Sequence, residues 1–440
     1  MNVFLSDVYA DRPYRVSKDT NGSFGTGSDF GRGVFTSLLS RLKRYASQFP
    51  PLSLPYAASI LRGQGHSVRY GRTCMPPSDT DLVLMPTSIV EHTTELAWAG
   101  RFKQAGFAVG FWGPFANVMS DAYLAQGDFI IPGYPEDFLL SQALTGHERG
   151  LLATPAQRDT DLPLPAWDII PARERSYRLF GSGGAFFPVL ASRGCPYACR
   201  HYCTYPLQQG NRVLYRSVAN LIEELSHLQH RFGARTILFR DPIFTFDRAR
   251  TLALMDAMRE NKIRMSFVIE THVRHLDDEL LRSLRSAGCA AIKVGVESPD
   301  TQMLKKYGRR TTEDDQQREI VRSIEAHGMK AICFFMLAFP DDTWDSSVAM
   351  IRYAKDLGSS AAQFSVVTPY PGTAFYEGLK DRITARSFDQ FTQFSLVYEH
   401  AHLSAAQVED LKELAYRSFY LRPHFVVQHL RHRFLKGQRA

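Results

Sequence analysis

The chain has 440 residues, about three domains' worth at ~150 residues each, so every domain can bury a core of its own. A composition of 44% hydrophobic, 22% charged and 12% aromatic residues excludes disordered, collagen-like and disulfide-scaffold classes. The net charge of +7 is modest and spread over a long chain, so no nucleic-acid partner is expected. The longest apolar runs, such as Ile332 to Phe339, are strand-length and fall short of the ~20 residues a membrane helix needs, so no transmembrane segment is expected either. The start, Met1-Asn2-Val3-Phe4-Leu5, turns acidic at Asp7 and lacks the basic opening and apolar middle of a secretion signal, which reads as cytoplasmic.

From Pro50 to about Gln142, short apolar runs alternate with helical periodicity. The order is a helix over Leu54 to Gly63, strands near Ser67 to Tyr70 and Asp81 to Met85, and a helix from Glu91 to Gly106. A strand at Ala108 to Trp112, a helix near Met119 to Gln126 and a strand at Phe129 to Ile131 follow. Strand and helix in turn predict a parallel sheet covered on both faces, whose ligand lies at the carboxyl ends of the strands. Those ends carry Pro86-Thr87-Ser88, Gly113-Pro114-Phe115 and Gly133-Tyr134-Pro135-Glu136. Residues from about Gly150, with Pro155, Pro163, Pro165 and Pro171, read as an extended linker.

A second alternation begins at Phe187 to Ser192, with strands at Thr236 to Phe239, Met265 to Ile269, Ala291 to Val296, Lys330 to Met336 and Ala362 to Val367. Amphipathic helices such as Ser217 to Phe232 and Asp277 to Ala287 lie between them. About six β/α units in series predict a barrel or partial barrel with its chemistry at the strand carboxyl ends. The last segment, Ser404 to Leu435, is expected to be helical, capped at Ser404 and broken at Pro423. Its basic end, with Arg422, Arg431, Arg433, Lys436 and Arg439, reads as a solvated helix end or as a contact for anionic lipid or a phosphorylated substrate.

Six cysteines are unevenly placed: Cys74, Cys289 and Cys333 stand alone, whereas Cys195, Cys199 and Cys203 crowd into nine residues after the first barrel strand. Three thiolates on one short loop can each hold one iron of a four-iron cluster and leave the fourth iron open to a ligand. The alternatives are a zinc site completed by His201, and idle reduced thiols; structural zinc commonly takes two separated ligand pairs, and no second pair exists here.

At these residues the sequence resembles the cobalamin-binding radical SAM enzymes over nearly the whole chain. That family's loop is Cys-x-x-x-Cys-x-x-Cys with an aromatic residue before the last cysteine; here one residue is extra, and Tyr202 still precedes Cys203. A one-residue bulge after Cys199 is the simplest account. Downstream, Phe239-Arg240-Asp241-Pro242-Ile243-Phe244-Thr245, Lys293-Val294-Gly295-Val296-Glu297-Ser298 and Leu304-Lys305-Lys306-Tyr307-Gly308-Arg309 look like family segments in family order. Met336-Leu337-Ala338-Phe339-Pro340 and Pro369-Tyr370-Pro371-Gly372-Thr373 resemble its fifth and sixth strand ends. The resemblance implies that Cys195, Cys199 and Cys203 hold a 4Fe-4S cluster and that Asp241, Glu270, Glu297 and Ser298 hold the ribose and amino-acid parts of S-adenosylmethionine. The backbone around Tyr202 would face the adenine. Each acid also has a plainer reading: Asp241 as a helix cap, Glu297 bonded to loop amides, Glu270 paired with Arg274.

The first domain resembles the family's cobalamin domain through Pro51 to Ala58, Thr87-Ser88, Gly113-Pro114 and Gly133-Tyr134-Pro135-Glu136. The implied cobalamin-binding residues are Thr87, Ser88, Gly113, Pro114, Gly133 and Glu136. No Asp-x-His-x-x-Gly occurs in the chain, so an imidazole ligand to the lower face is not implied; His66 reads as part of a turn with Gly65, and Arg69 as a surface residue. The implied architecture is α/β: a doubly wound Rossmann-like cobalamin domain (1–149), a linker (150–186), a partial TIM barrel (187–385) and a C-terminal helical segment (386–440). Electron transfer to S-adenosylmethionine would give a 5′-deoxyadenosyl radical, and cobalamin would deliver a methyl group to a small-molecule, lipid or natural-product substrate. Such a reaction requires an electron-donating reductase or flavodoxin. Radical oxidation, cyclisation or rearrangement without methyl transfer, and a non-catalytic binding or sensory protein, are the alternatives.

Overall fold

The computed structural model describes every residue except 21, 49–50, 154–159, 178–184, 198, 310–311 and 423–440. Pro155, the break at Pro423 and the basic side chains Arg431, Arg433, Lys436 and Arg439 lie outside the described residues, as does part of the linker.

The first sheet is built on a strand that precedes the alternation read from the sequence. Asn2–Asp7 (β1) sits inside a fully parallel sheet with Ser67–Arg72 (β2), Leu82–Pro86 (β3), Ala108–Trp112 (β4), Phe129–Ile131 (β5) and Gly150–Leu151 (β6), in the order β2-β1-β3-β4-β5-β6. Every residue of β3 is buried, as a strand covered on both faces requires. Helices Ser53–Gly63 (α2) and His92–Gln104 (α3) cover the sheet, and Pro135–Ser141 (α4) packs against α2. The strand order reverses between β1 and β3, and the crevice at that reversal is where doubly wound sheets take ligands.

The second sheet runs β12-β11-β10-β9-β8-β7, from Ala361–Val366 (β12) through Lys330–Leu337 (β11), Cys289–Glu297 (β10), Ser266–Thr271 (β9) and Ala234–Phe239 (β8) to Ala185–Val189 (β7). All six are parallel, the open arc of a partial barrel. Its outer face packs on amphipathic helices, among them Val218–Phe232 and Asp278–Ser286, whose caps Ser217 and Asp277 accept the backbone N–H groups of Asn220 and Leu280. Burial of each such Val, Leu, Ile or Phe stabilises the fold by ~1.5–3 kcal/mol. The C-terminal helix Ala405–Tyr420 is closed by a reciprocal capping box between Ser404 and Gln407.

Beyond β7 the sheet gains two antiparallel pieces, Ser176–Tyr177 and then Ser47–Gln48. The second follows Val34–Ala46 (α1), a helix contributed by the N-terminal region. Lys43 of α1 reaches Gln363 on β12, at the far edge of the same sheet, so α1 crosses the gap between the two edges of the arc. The helix inverts the usual pattern: Thr36 and Ser40 are buried, whereas Val34, Leu38, Leu42 and Tyr45 are exposed.

Candidate active site

The cysteine loop is pinned at its base. Ser192–Arg193 pairs antiparallel with Leu214–Tyr215, which turns the intervening residues into a closed excursion from β7. Gly194 has φ +98°, and a Cβ there would lie 2.0 Å from the Arg212 carbonyl oxygen, so no other residue fits. Its N–H donates to Gln209 Oε1 at 3.0 Å, and the Cys195 N–H to the Gly210 carbonyl at 3.0 Å. Asp241, at the end of β8 and 1% exposed, accepts from the Ala191 N–H at 3.1 Å and from Ser192 Oγ at 2.5 Å. Both of its oxygens thus hold the base of the loop. The following helix is capped by Asp247 instead, so the helix-cap reading of Asp241 does not hold.

Cys199 to His201 form a single helical turn, and the Cys199 carbonyl accepts from both the Tyr202 N–H (3.2 Å) and the Cys203 N–H (2.9 Å). Residues three and four apart both fall on one helix face. The turn therefore absorbs the extra residue with Cys199 and Cys203 on the same side, and the bulge expected after Cys199 is not formed. The three sulfurs belong to one small cluster with Tyr197, Ile243 and Tyr205. Burial and the neighbouring thiols push Cys195 up to about 11 and Cys203 further, so both are protonated unless a cation joins them. That is the chemistry of a donor set suited to a metal cluster. Among the described residues no group of three or more His, Cys, Asp or Glu side chains converges on a single-ion site, and His201 packs its ring on Tyr307 (5.4 Å) and Phe375 (5.7 Å). The zinc alternative loses its fourth ligand.

Facing the loop, Glu297 at the end of β10 receives Arg309, with Nη2 3.0 Å from its Oε1. The same guanidinium donates to the Gly295 carbonyl at 3.1 Å and lies 3.9 Å from the Cys199 sulfur through Nη1. A Cβ on Gly295 would stand 2.6 Å from Arg309, so this glycine clears its path. Glu297 (φ +66°) and Ala338 (φ +61°) hold left-handed backbone at the ends of adjacent strands, strain that concentrates where a site is shaped. Glu297 pairs with Arg309 and not with loop amides. Ser298 is buried beside it and accepts the Asp300 N–H at 3.2 Å. Tyr202 sets its ring edge against Phe339 at 5.7 Å, and its buried hydroxyl has no hydrogen-bond partner. Glu270 lies lower, inside the barrel, facing Lys293 and Arg240 rather than Arg274.

The Rossmann rim differs. Thr87 Oγ1 donates to the Trp112 carbonyl at 3.0 Å and accepts the Ala116 N–H at 3.2 Å, tying β3 to β4. Ser88 gives both its N–H and its hydroxyl to Glu95. Gly113 (φ +122°) comes so close to Thr87 that a Cβ would be 2.8 Å from its hydroxyl, whereas around Gly133 (φ +75°) a Cβ would meet nothing within 4 Å. Thr87, Gly113, Pro114 and Gly133 line one cleft with Lys18 and Trp112; Ser88 and Glu136 are turned away from it. The cleft lies at the switch of the doubly wound sheet, with Gly113 and Gly133 in its wall and open space beside Gly133. Arg69 pairs with Asp79 at the surface, and His66 follows the Gly65 turn (φ +84°).

One joint between the domains and one buried ion cluster within the first were not evident in the sequence. Arg193, next to Gly194 in the cysteine loop, crosses to Glu136 (3.1 Å) and Asp137 (3.2 Å) and stacks on Tyr134 at 4.4 Å. Lys18, in the segment after β1, is buried at the switch point between Glu95 (2.9 Å) and Asp7 (3.6 Å). The only sequence signal for the first was its adjacency to Gly194-Cys195.

Comparison with known proteins agrees with this arrangement. Residues 189–354 match the radical SAM superfamily. An uncharacterized methyltransferase of Pyrococcus horikoshii is 30% identical over 274 residues, covering 62% of this chain and 58% of the relative. Bacteriochlorophyllide d C-12(1)-methyltransferase of Chlorobaculum tepidum is 24% identical over 50% of this chain and 48% of its own length. The chain thus spans about half the length of these curated relatives. In fold it is similar to the radical S-adenosylmethionine methyltransferase TsrM of Kitasatospora setae, solved with cobalamin and a [4Fe-4S] cluster, with TM-score 0.63 at 16% identity over 93% of this chain and 84% of that one. With a Rossmann-like domain ahead of a half-barrel whose residues 189–354 match the radical SAM superfamily, the chain is similar in fold to cobalamin-binding radical SAM enzymes.

Proposed function

We propose that the protein is a radical SAM enzyme that binds a 4Fe-4S cluster, S-adenosylmethionine and cobalamin, and methylates an unactivated carbon of a small-molecule, lipid or natural-product substrate. The observation that carries this reading is the placement of three thiols, two buried and one half-buried, at the barrel mouth, on a loop that Arg193 fastens to the domain bearing the glycine-walled cleft. Residues 1–149 would serve the corrinoid and 187–385 the cluster, with 150–186 as the connection, 386–440 closing the barrel and α1 lent to it.

Bound there, the cluster would supply an electron for reductive cleavage and the corrinoid a transferable methyl group. The chain's own part is positioning and exclusion. Cys195, Cys199 and Cys203 hold the cluster as thiolates, and Arg309 sets a buried positive charge beside Cys199. Asp241 fixes the loop base through Ala191 and Ser192. Glu297, Ser298, Glu270 and the unsatisfied Tyr202 hydroxyl offer polar contacts to the amino-acid and nucleoside ends of S-adenosylmethionine. Thr87, Gly113, Pro114 and Gly133 shape the corrinoid cleft; Ser88 and Glu136 act behind it. A reductase or flavodoxin of the cytoplasm would deliver the electron.

The test is anaerobic purification from cells supplied with cobalamin, followed by iron, sulfide, zinc and cobalt analysis and turnover with methyl-labelled S-adenosylmethionine. About four irons and one corrinoid per chain are expected, with label in the product. Unlabelled product would replace methylation by radical oxidation, cyclisation or rearrangement. Zinc with neither cofactor, or no 5′-deoxyadenosine under strong reductant, would leave a non-catalytic binding protein.

A further inference from the structure

The lumen of the half-barrel is layered. Phe186, Leu238, Val268, Ala291, Ile332 and Ala361 close its floor as a buried apolar set. One layer up, three neighbouring strands carry charged lumen-side residues that keep free surface, Arg240, Glu270 and Lys293, with Gln363 opposite, while the outward residues between them are buried in the main core. Register places Glu270 beside Lys293 on neighbouring strands. The N-terminal region adds three more charges from outside the barrel: Asp19, whose carboxylate and carbonyl hold Arg240 (3.2 and 2.7 Å), Arg15, and Lys43 of α1. Lys43 lies on the barrel-facing side of α1, seven residues after Thr36 and three after Ser40, and its Nζ is 3.5 Å from Gln363 Oε1.

The charges do not balance. Asp19 is committed to Arg240, which leaves Glu270, among the described residues, as the one other carboxylate in this layer for the two lysines Lys43 and Lys293. Among the described residues no carboxylate lies within ion-pair distance of Lys43 or Lys293. Tyr205, which borders Glu270 and Arg240, brings no negative charge, since burial keeps its hydroxyl protonated. Burial with repulsion from Arg15 and Lys293 lowers Lys43 to about 7, and Lys293 falls to about 8 despite Glu270. A protein seldom leaves such groups unpaired away from water without a reason. Above them, Phe334 and Met336 offer half-exposed apolar surface on the lumen side of β11. Lys293 stands four residues before Glu297 on β10, about 13 Å at the usual strand rise, which is the length of a small molecule spanning from this layer to the cysteine loop.

We propose that the lumen binds a small organic oxyanion as substrate, with its carboxylate or phosphate held between Lys43 and Lys293 and its apolar body lying along Phe334 and Met336. The assignment as substrate rests on the radical-enzyme reading; the anion site itself does not.

Binding is measured by titration calorimetry on the full-length, cluster-reconstituted chain at pH 8, with benzoate and phenyl phosphate as probes and benzyl alcohol as the neutral control. Buffers of differing ionisation enthalpy report proton transfer. An oxyanion favours the ammonium forms, so binding takes up protons, and the anions bind at least about tenfold more tightly than the alcohol, the worth of one charge-assisted bond. Lys43→Met and Lys293→Met each weaken anion binding about tenfold and reduce the uptake, and Lys43→Arg restores affinity without uptake at that position. Preference for one of the two anions would identify the headgroup. Equal binding of acid and alcohol, or binding and uptake unchanged in both Met variants, would overturn the site. Cofactor content and deoxyadenosine formation, read separately on the same protein, keep failure of the anion site distinct from failure of the radical chemistry.

Discussion

Lys18 and Lys43 leave the same N-terminal region and enter opposite environments. Lys18 is buried at the Rossmann switch point between Asp7 and Glu95, and those carboxylates hold its ammonium above the ordinary lysine range despite burial. Lys43 reaches the barrel lumen with an amide oxygen and the Phe30 ring for company, and falls to about 7. The same contrast runs through both rims. On the Rossmann side Thr87 and Ser88 spend their hydrogen bonds within the protein and leave an opening made by glycines. On the barrel side the Tyr202 hydroxyl has no hydrogen-bond partner, and among the described residues no carboxylate stands at ion-pair distance from the lumen lysines. One rim closes its hydrogen bonds within the protein around a glycine opening; the other keeps polar groups without an internal counterpart.

Four measurements can break or sharpen that contrast. Lys18→Met strips Asp7 and Glu95 of their buried counter-charge, and denaturant unfolding is expected to show a loss of about 3–5 kcal/mol. An unchanged stability would mean that the pairing is idle. Gly133→Asn keeps the left-handed backbone but fills open space in the cleft; cobalt content should fall at least about tenfold, as one lost kcal/mol and more of shape contact implies, while iron stays constant. A parallel loss of iron would show that the two rims are not separable. For Lys43 the sign is opposite to the usual lysine. Its folded-state value of about 7 lies below the unfolded value of ~10.4, so between those limits the unfolded chain holds more protons and stability rises with pH. Lys43→Met should flatten the rise and cost no stability at pH 7; a midpoint that drops at pH 7 would argue that the ammonium is a structural tie. The smallest effect is expected from Thr87→Val, which removes one internal bridge between β3 and β4 at about 1 kcal/mol without changing the cleft wall.

Much of this was legible in the sequence wherever the signal was local. The period of apolar residues located α2, α3 and the barrel strands to within a few residues, and Cys195, Cys199 and Cys203 stood out as a crowded trio after the first barrel strand. β1 was missed because a six-residue run at the chain start has no preceding turn to mark it, although it is the strand on which the first sheet is ordered. α1 was missed because its polar side faces inward, against the rule that amphipathic patterns follow. The acids Asp241, Glu270 and Glu297 were picked out correctly as strand-end residues, but their partners were not: Ser192, Lys293 and Arg309 lie 12 to 49 positions away, or on the neighbouring strand, and no periodicity encodes such pairs. The extra residue in the cysteine loop read as a bulge in linear spacing and is taken up in a helical turn, where three and four residues reach the same face.

Arg193 has a consequence for the order in which the protein matures. It is covalently adjacent to Gly194-Cys195 and finds Glu136, Asp137 and Tyr134 only when the first domain has folded. During synthesis the N-terminal domain emerges first, so its acidic patch is waiting when the cysteine loop leaves the ribosome. Through Arg193 the first domain thus offers a surface on which the cysteine loop can set, and that contact fixes the loop's place relative to Glu136 and Asp137.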